Sequence, residues 1–286
     1  MVTYLLAAFA ASLAATGGFL QHQGLVGNTE HQGVSPSILL GAIRRPRCLA
    51  GIAVLLCAFT CQFLALRQGS LAQVQPMLSL ELVVLLILVG RFSRVVPGPR
   101  EWFGVLAVGA GLAGFLASAG TTQNEESVTY GALLIVVGSA VLLALVLATL
   151  ASRQQGSPRA ALLGTAAASC FAAEAGMIKA VNQTGAASAT RWIALALLAG
   201  MGALGFLLFT HALAAGPVFA SRTAMVITNP LVSVFLGVVV FGDSFGKGFL
   251  SALGAVLGLL VMSSGVWLLS SSSLVRAGEE IPSSAA

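Results

Sequence analysis

Residues 212–216, Ala212-Leu213-Ala214-Ala215-Gly216, close one long apolar stretch, and Pro217 opens the next. Residues 65–69, Ala65-Leu66-Arg67-Gln68-Gly69, do the same in the first half, before a stretch that begins at Ser70. The offset, from 65 to 212, is 147 positions. A second echo lies upstream of each junction. Ala11–Leu25 (ASLAATGGFLQHQGL) is similar to Ala168–Val181 (ASCFAAEAGMIKAV) at an offset of 157. The ten extra residues fall in the Val26–Pro46 segment of the first copy. One helical unit is therefore expected to occur twice in this chain.

Composition says what surrounds the two copies. Charged residues are 8% of the 286-residue chain, against about 25% in soluble domains. Hydrophobic residues are 57%, more than a soluble core of this length can hide, so lipid must be the solvent. This excludes a buried soluble α/β protein. The net charge of +5 does not indicate nucleic acid, because the basic residues sit in short loops between apolar stretches. Four cysteines (Cys48, Cys57, Cys61, Cys170) stand in apolar context and read as small buried side chains, not a disulfide framework or metal site.

Nine spans are expected: Tyr4–Leu25, Arg47–Leu66, Ser70–Gly90, Trp102–Ala119, Tyr130–Ala151, Arg159–Val181, Trp192–Ala214, Pro217–Phe241 and Gly248–Ser270. Each is near the ~20 residues needed to cross ~30 Å of hydrocarbon. Trp102 and Trp192 open spans as interfacial anchors do. The first span has no Lys/Arg n-region and runs too far to be a signal peptide. Gly33–Ile43, with Pro36, is short for a span and suits a short or re-entrant helix. If it crosses, there are ten spans. The fold class is thus an all-α polytopic membrane bundle. Residues 1–119 form the first repeat, 130–151 a linking helix, 159–270 the second repeat, and 271–286 a polar, disordered tail.

The basic residues orient the bundle. One set of alternate loops, with the tail, holds Arg44, Arg45, Arg47, Arg91, Arg94, Arg100, Arg153, Arg159 and Arg276. The other holds Arg67, Arg191 and Lys247. The first set, with the C-terminus, is expected in the cytoplasm. Because the repeats are offset by an odd number of spans, the second copy is inverted. Inverted copies around a midplane site are the geometric basis of alternating access. Small residues (Gly104, Gly109, Gly111 and Gly114; Gly248, Gly254 and Gly258) crowd spans four and nine. Their small-xxx-small pairs, Ala107/Gly111, Ala110/Gly114 and Gly254/Gly258, fit a compact bundle or a homodimer face.

A charge near the bilayer centre costs about 2.5–3.5 kcal/mol or more, so each one is a site candidate. Glu81 lies about 16 Å into span three at 1.5 Å per residue, near the midplane. Arg222 lies five residues into span eight, within reach of a Glu81–Arg222 pair; the alternative is snorkelling to the headgroups. Glu174 sits in the outer half of span six and is expected to line a cavity. Lys179 is expected to snorkel, and His211 to make a structural hydrogen bond or relay a proton. Gln62, Gln73, Gln75 and Asn229 can bond across helices or contact substrate. Gln75-Pro76 and Asn229-Pro230 free backbone carbonyls within their spans. Replacing Glu81 by Gln is expected to abolish proton coupling and leave the protein folded.

Ala212–Gly242, ALAAGPVFASRTAMVITNPLVSVFLGVVVFG, resembles the ALxxGP…P…G…FGE signature of the drug/metabolite transporter (EamA-like) superfamily, with Asp243 where that family has glutamate. Trp192–Ser270 is similar to the last three helices of small multidrug resistance proteins, and Ala173-Glu174 with Lys179 to their first helix. Phe63-Leu64-Ala65-Leu66 through Gln75-Pro76, with Gly176-Met177-Ile178-Lys179-Ala180, resembles NIPA-like magnesium transporters of the same superfamily. The resemblance implies a membrane-embedded glutamate that takes substrate or protons in turn, here Glu174.

No P-loop, HExxH motif or Cys/His cluster is present, so neither ATP-driven transport nor enzyme chemistry is expected, and no cofactor. Three readings follow, in order. The first is a secondary transporter of a small metabolite or drug, coupled to protons. The second is a divalent-cation transporter. The third is a non-transporting membrane subunit. The expected surroundings are the lipid bilayer of the cell membrane, with a small molecule or cation as cargo.

Overall fold

In the computed structural model, residues 2–25, 45–93, 98–118, 130–183, 188–216, 218–240 and 248–270 are described. They form ten helices: α1 (Val2–Leu25), α2 (Pro46–Gln68), α3 (Leu71–Met77), α4 (Leu80–Ser93), α5 (Pro99–Ser118), α6 (Tyr130–Ala151), α7 (Gly156–Gln183), α8 (Ala189–Ala215), α9 (Val218–Val239) and α10 (Phe249–Ser270). Among the described residues, nine stretches are long and apolar enough to cross a membrane, with α3 and α4 together making the third. The chain is a polytopic membrane helix bundle. Gly33–Ile43, Asp243 and the 271–286 tail lie outside the described residues.

Large apolar side chains point outward all round the bundle, among them Phe103, Leu106, Ile135, Leu142, Phe249 and Leu250. In water such a surface would be an aggregation hazard; in a bilayer it is the lipid face. Trp102 and Trp192 are also exposed, as anchors should be. Cys57 is exposed and Cys61 partly so, against the expectation of burial. They lie on a lipid-facing side of α2, where a thiol is an acceptable apolar group.

Two helix pairs anchor the packing. α1 packs on α2, and α7 packs on α8. α1 also carries α3 and α4, as α7 carries α9. α7 is the most enclosed span. α7 begins at Gly156, three residues before the start expected from hydropathy. Pro158 falls in its first turn, where a missing N–H costs nothing.

α5 and α10 close against each other along a glycine seam. A Cβ on Gly104 would lie 3.2 Å from the Gly265 carbonyl oxygen, and one on Gly265 2.8 Å from that of Gly104. One turn pair further, a Cβ on Gly258 would lie 2.8 Å from the Gly111 carbonyl oxygen. Rising numbers on α5 meet falling numbers on α10, so the two are antiparallel. Gly109 and Gly114 have open space beside them, so the Ala110/Gly114 pair is not part of this seam. The small residues at the seam serve contact within one chain.

Gly69 and Gly216 each sit against the opening of an earlier helix. A Cβ on Gly69 would lie 2.5 Å from Cγ2 of Thr3 at the start of α1. On Gly216 it would lie 3.3 Å from Cβ of Ala160, and 2.9 Å from backbone of Gly156, at the start of α7. Arg45 donates to the Gly24 carbonyl near the end of α1. Arg191 donates to the Val181 carbonyl near the end of α7, at 3.2 Å.

Candidate functional site

The site begins with a break in the third span. Ser70 and Gln73 form a capping box that starts α3: Gln73 N–H donates to Ser70 Oγ, and Ser70 N–H to Gln73 Oε1, each at 3.2 Å. Gln73 is therefore a helix cap and not a substrate contact. Pro76 has no N–H to offer the preceding turn. The chain tightens instead: Leu78 N–H donates to Gln75 O at 3.1 Å, Ser79 N–H to Pro76 O at 3.0 Å, and Glu81 N–H to Leu78 O at 3.0 Å. α4 then resumes at Leu80. Gln75, Ser79 and Glu81 all line one cavity of about 450 Å³.

From the opposite side α9 supplies Arg222 and Asn229. Arg222 donates to Glu81 Oε1 through Nη1 and to the Ala14 carbonyl through Nη2 at 3.3 Å. Its guanidinium carbon stands 4.3 Å from the centre of the Phe209 ring, a cation–π arrangement. Both charged side chains are buried: Arg222 is 2% exposed and Glu81 8%. Arg222 is thus paired inside the bundle and does not snorkel. Gly18 makes this possible, since a Cβ there would collide with the guanidinium.

Asn229 Nδ2 donates to Gln75 Oε1 at 3.1 Å. The two cross-links run in opposite order, 81 with 222 and 75 with 229. The third span and α9 are therefore antiparallel, with the ion pair at one depth and the amide pair about seven residues, roughly 10 Å, further along. Pro230 leaves α9 unbroken through Val239.

Glu174 enters from α7. It is 7% exposed and lines the same cavity. A Cβ on Gly202 of α8 would lie 2.6 Å from its Oε1, so that glycine supplies the room for the carboxylate. No hydrogen-bond or ion-pair partner for Glu174 occurs among the described residues. Phe59, Phe171, Phe206 and Phe209 complete the walls, with Gln62. Most of the lining is apolar with a few converging polar groups, the usual make-up of a small-molecule site.

Of the residues picked out by sequence, Glu81, Glu174, Arg222, Gln75, Asn229 and Gln62 meet in this cavity. Lys179 and His211 do not line it. Lys179 is buried, not snorkelling, because it lies on the most enclosed span, and His211 is buried on α8; each has partners of its own. Among the described residues, no three His, Cys, Asp or Glu side chains are grouped to hold a metal ion. Sequence reasoning missed Ser79, Gly18 and Gly202. Only the Gly17-Gly18 doublet carried a signal, two adjacent small residues in a membrane span.

No known family profile matches the chain, and no solved structure matches it. It is similar to an uncharacterized protein of Corynebacterium glutamicum, with 27% identity over 98% of each chain.

Proposed function

We propose that the chain is a secondary transporter of the drug/metabolite transporter superfamily, moving a small metabolite or drug by proton-coupled alternating access. One observation carries the reading: a cavity of about 450 Å³ holds a carboxylate, Glu174, without a partner among the described residues, beside a buried Glu81–Arg222 pair. Buried charges in a membrane protein are expensive and mark pathways. The cavity also lies at a discontinuous span, where transporters place their sites.

The inverted-repeat reading has support from contacts that recur at the offsets seen in the sequence. Thr3 and Ala160 are 157 apart, and their partners Gly69 and Gly216 are 147 apart. Gly24 and Val181 are again 157 apart, and each is capped by an arginine. The antiparallel third and eighth spans are what a two-fold axis in the membrane plane would produce. In this reading Glu174 exchanges a proton for cargo, while Arg222 neutralises Glu81. The basic bias of the loops favours a cytoplasmic C-terminus in the cell membrane.

The test is flux in proteoliposomes across a panel of small metabolites, drugs and Mg2+, with and without a pH gradient. Accumulation of an organic member that follows the gradient is expected. Gradient-independent Mg2+ flux, or no flux of any member through folded protein, would overturn the proposal.

A further inference from the structure

The third span and α9 are pinned to each other at two depths. Gln75 of α3 bonds Asn229 of α9 at 3.1 Å, and Glu81 of α4 bonds Arg222 of α9. The two spans are antiparallel, so Gly69, before the third, and Gly216, before α9, lie toward opposite faces. Gln75 is six residues from Gly69, and Arg222 is six from Gly216. The amide link therefore stands toward the Gly69 face and the ion pair toward the Gly216 face. Leu78, Ser79, Met225 and Val226 fall between the links along the chain, and all four line the cavity.

The links use the same two positions of the sequence echo. From 75 to 222 the offset is 147, and from 82 to 229 it is again 147. Each link joins one of these positions to the other across the two spans, with Glu81 one residue short of 82. A two-fold axis that exchanged the spans would carry one link onto the other to within a residue. Their chemistry is not exchanged. The amide link is neutral. The ion pair is charge-assisted, and hydrogen bonds of that kind are roughly twice as strong. Arg222 also donates to the Ala14 carbonyl at 3.3 Å and stacks on Phe209, so it ties α9 to α4, α1 and α8 at one depth. Nearer the same face, Gln21 of α1 donates to Thr210 of α8 at 3.1 Å. Among the described residues, Asn229 reaches α3 and otherwise accepts from Ser233 of its own helix, at 3.4 Å.

We propose that these links are unequal locks on opposite faces of the cavity: Gln75–Asn229 is the weak lock of the Gly69 face, and Glu81–Arg222 the strong lock of the Gly216 face, so the empty protein opens mainly toward Gly69. Opening at the amide link releases two neutral groups into the water that enters. Opening at the ion pair strands a charge where four helices meet. Two equal links would give the empty protein no preferred side; the side chains at these four positions choose one.

The inference rests on the alternating-access reading, but its test uses neither substrate nor gradient. Full-length protein carrying Met225→Cys is treated, in sealed vesicles, with a charged maleimide that does not cross membranes. Arg67 adjoins Gly69, and Arg153 adjoins Gly156, which packs on Gly216. Both arginines are exposed, so Arg67→Cys and Arg153→Cys report which face is outward, and the parent gives the background from its own cysteines. Position 225 is expected to react faster from the Arg67 face. Asn229→Leu, or Gln75→Leu, should raise that rate about fivefold, the shift expected on losing one neutral hydrogen bond, and leave the other face within twofold. Glu81→Gln/Arg222→Gln, or the apolar pair Glu81→Leu/Arg222→Met, should instead speed reaction from the Arg153 face and reverse the preference. Faster reaction from the Arg153 face with both links intact, an amide-link variant that opens that face, or folded variants that react like Met225→Cys alone would overturn the proposal. Labelling does not read flux: unequal faces without transport would sink the transport reading and keep the locks, and transport with equal faces would do the reverse.

Discussion

Gly202 on α8 holds open the space that the Glu174 carboxylate of α7 fills: a Cβ at 202 would lie 2.6 Å from Oε1. The atom in the way is the far end of a flexible side chain, so the backbone need not move. Alanine also favours a helix over glycine by roughly 0.5–1 kcal/mol. Gly202→Ala should therefore fold as well as the parent or slightly better, yet turn the carboxylate away from the cavity. We expect an unchanged or higher melting temperature together with at least a several-fold loss of transport. Full transport in this variant would mean that the position of Glu174 does not matter.

The ion pair changes what replacement of Glu81 should do. Removing one partner of a buried pair leaves an uncompensated charge, typically at a cost of about 3–5 kcal/mol. Arg222 is 2% exposed and stacked on Phe209, so it cannot recover solvent. Glu81→Gln alone is thus expected to destabilise the protein strongly, contrary to the expectation from sequence. Adding Arg222→Gln should restore most of the loss. A double-mutant cycle on detergent-resistant folding reads this directly. Near-additive effects of the two substitutions would show that the pair is not coupled.

The glycine seam gives a contrast within one helix pair. On Gly258 a Cβ would lie 2.5 Å from the backbone nitrogen of Phe115, and on Gly109 it meets nothing. Backbone cannot swing aside as a side chain can. Gly258→Ala should push α5 from α10 and cost about 1–3 kcal/mol, the usual range for overpacking. Gly109→Ala should be neutral or mildly stabilising. Equal thermal stability of the two variants would contradict the packing described here.

Hydropathy carried most of the architecture, because a lipid-facing span must be apolar along its length whatever it packs on. Depth arithmetic put Glu81 within reach of Arg222 but left snorkelling open; the packed bundle decides it, with Arg222 bonded to Glu81 inside. Depth failed for Lys179, because depth along a helix does not say which face meets lipid. Pro76 signalled the break in the third span, but Pro230 leaves α9 whole, so proline alone did not decide it. The local difference is the i to i+3 bonding from Gln75 to Leu78. Gly18 and Gly202 were not legible at all. Their meaning lies in the side chain opposite, and only the packed bundle puts Arg222 and Glu174 there.

Glu174 is the cavity carboxylate without an ion-pair partner among the described residues, whereas Glu81 is already bonded to Arg222. A proton carrier must be able to lose and regain its proton as cargo leaves and arrives, and a carboxylate locked to a guanidinium is poorly placed to do so. Glu174→Gln keeps the shape and an amide oxygen but cannot titrate. In proteoliposomes it should lose accumulation driven by a pH gradient and retain counterflow of unlabelled against labelled substrate at saturating concentration. Because the variant leaves the Glu81–Arg222 pair intact, its stability should stay within about 1 kcal/mol of the parent, in the range of an ordinary substitution. Gradient-driven accumulation at the parental level in Glu174→Gln would move the proton to another group. If it also persisted in a folded Glu81→Gln/Glu174→Gln/Arg222→Gln variant, neither carboxylate would carry the proton and the coupling mechanism would be wrong.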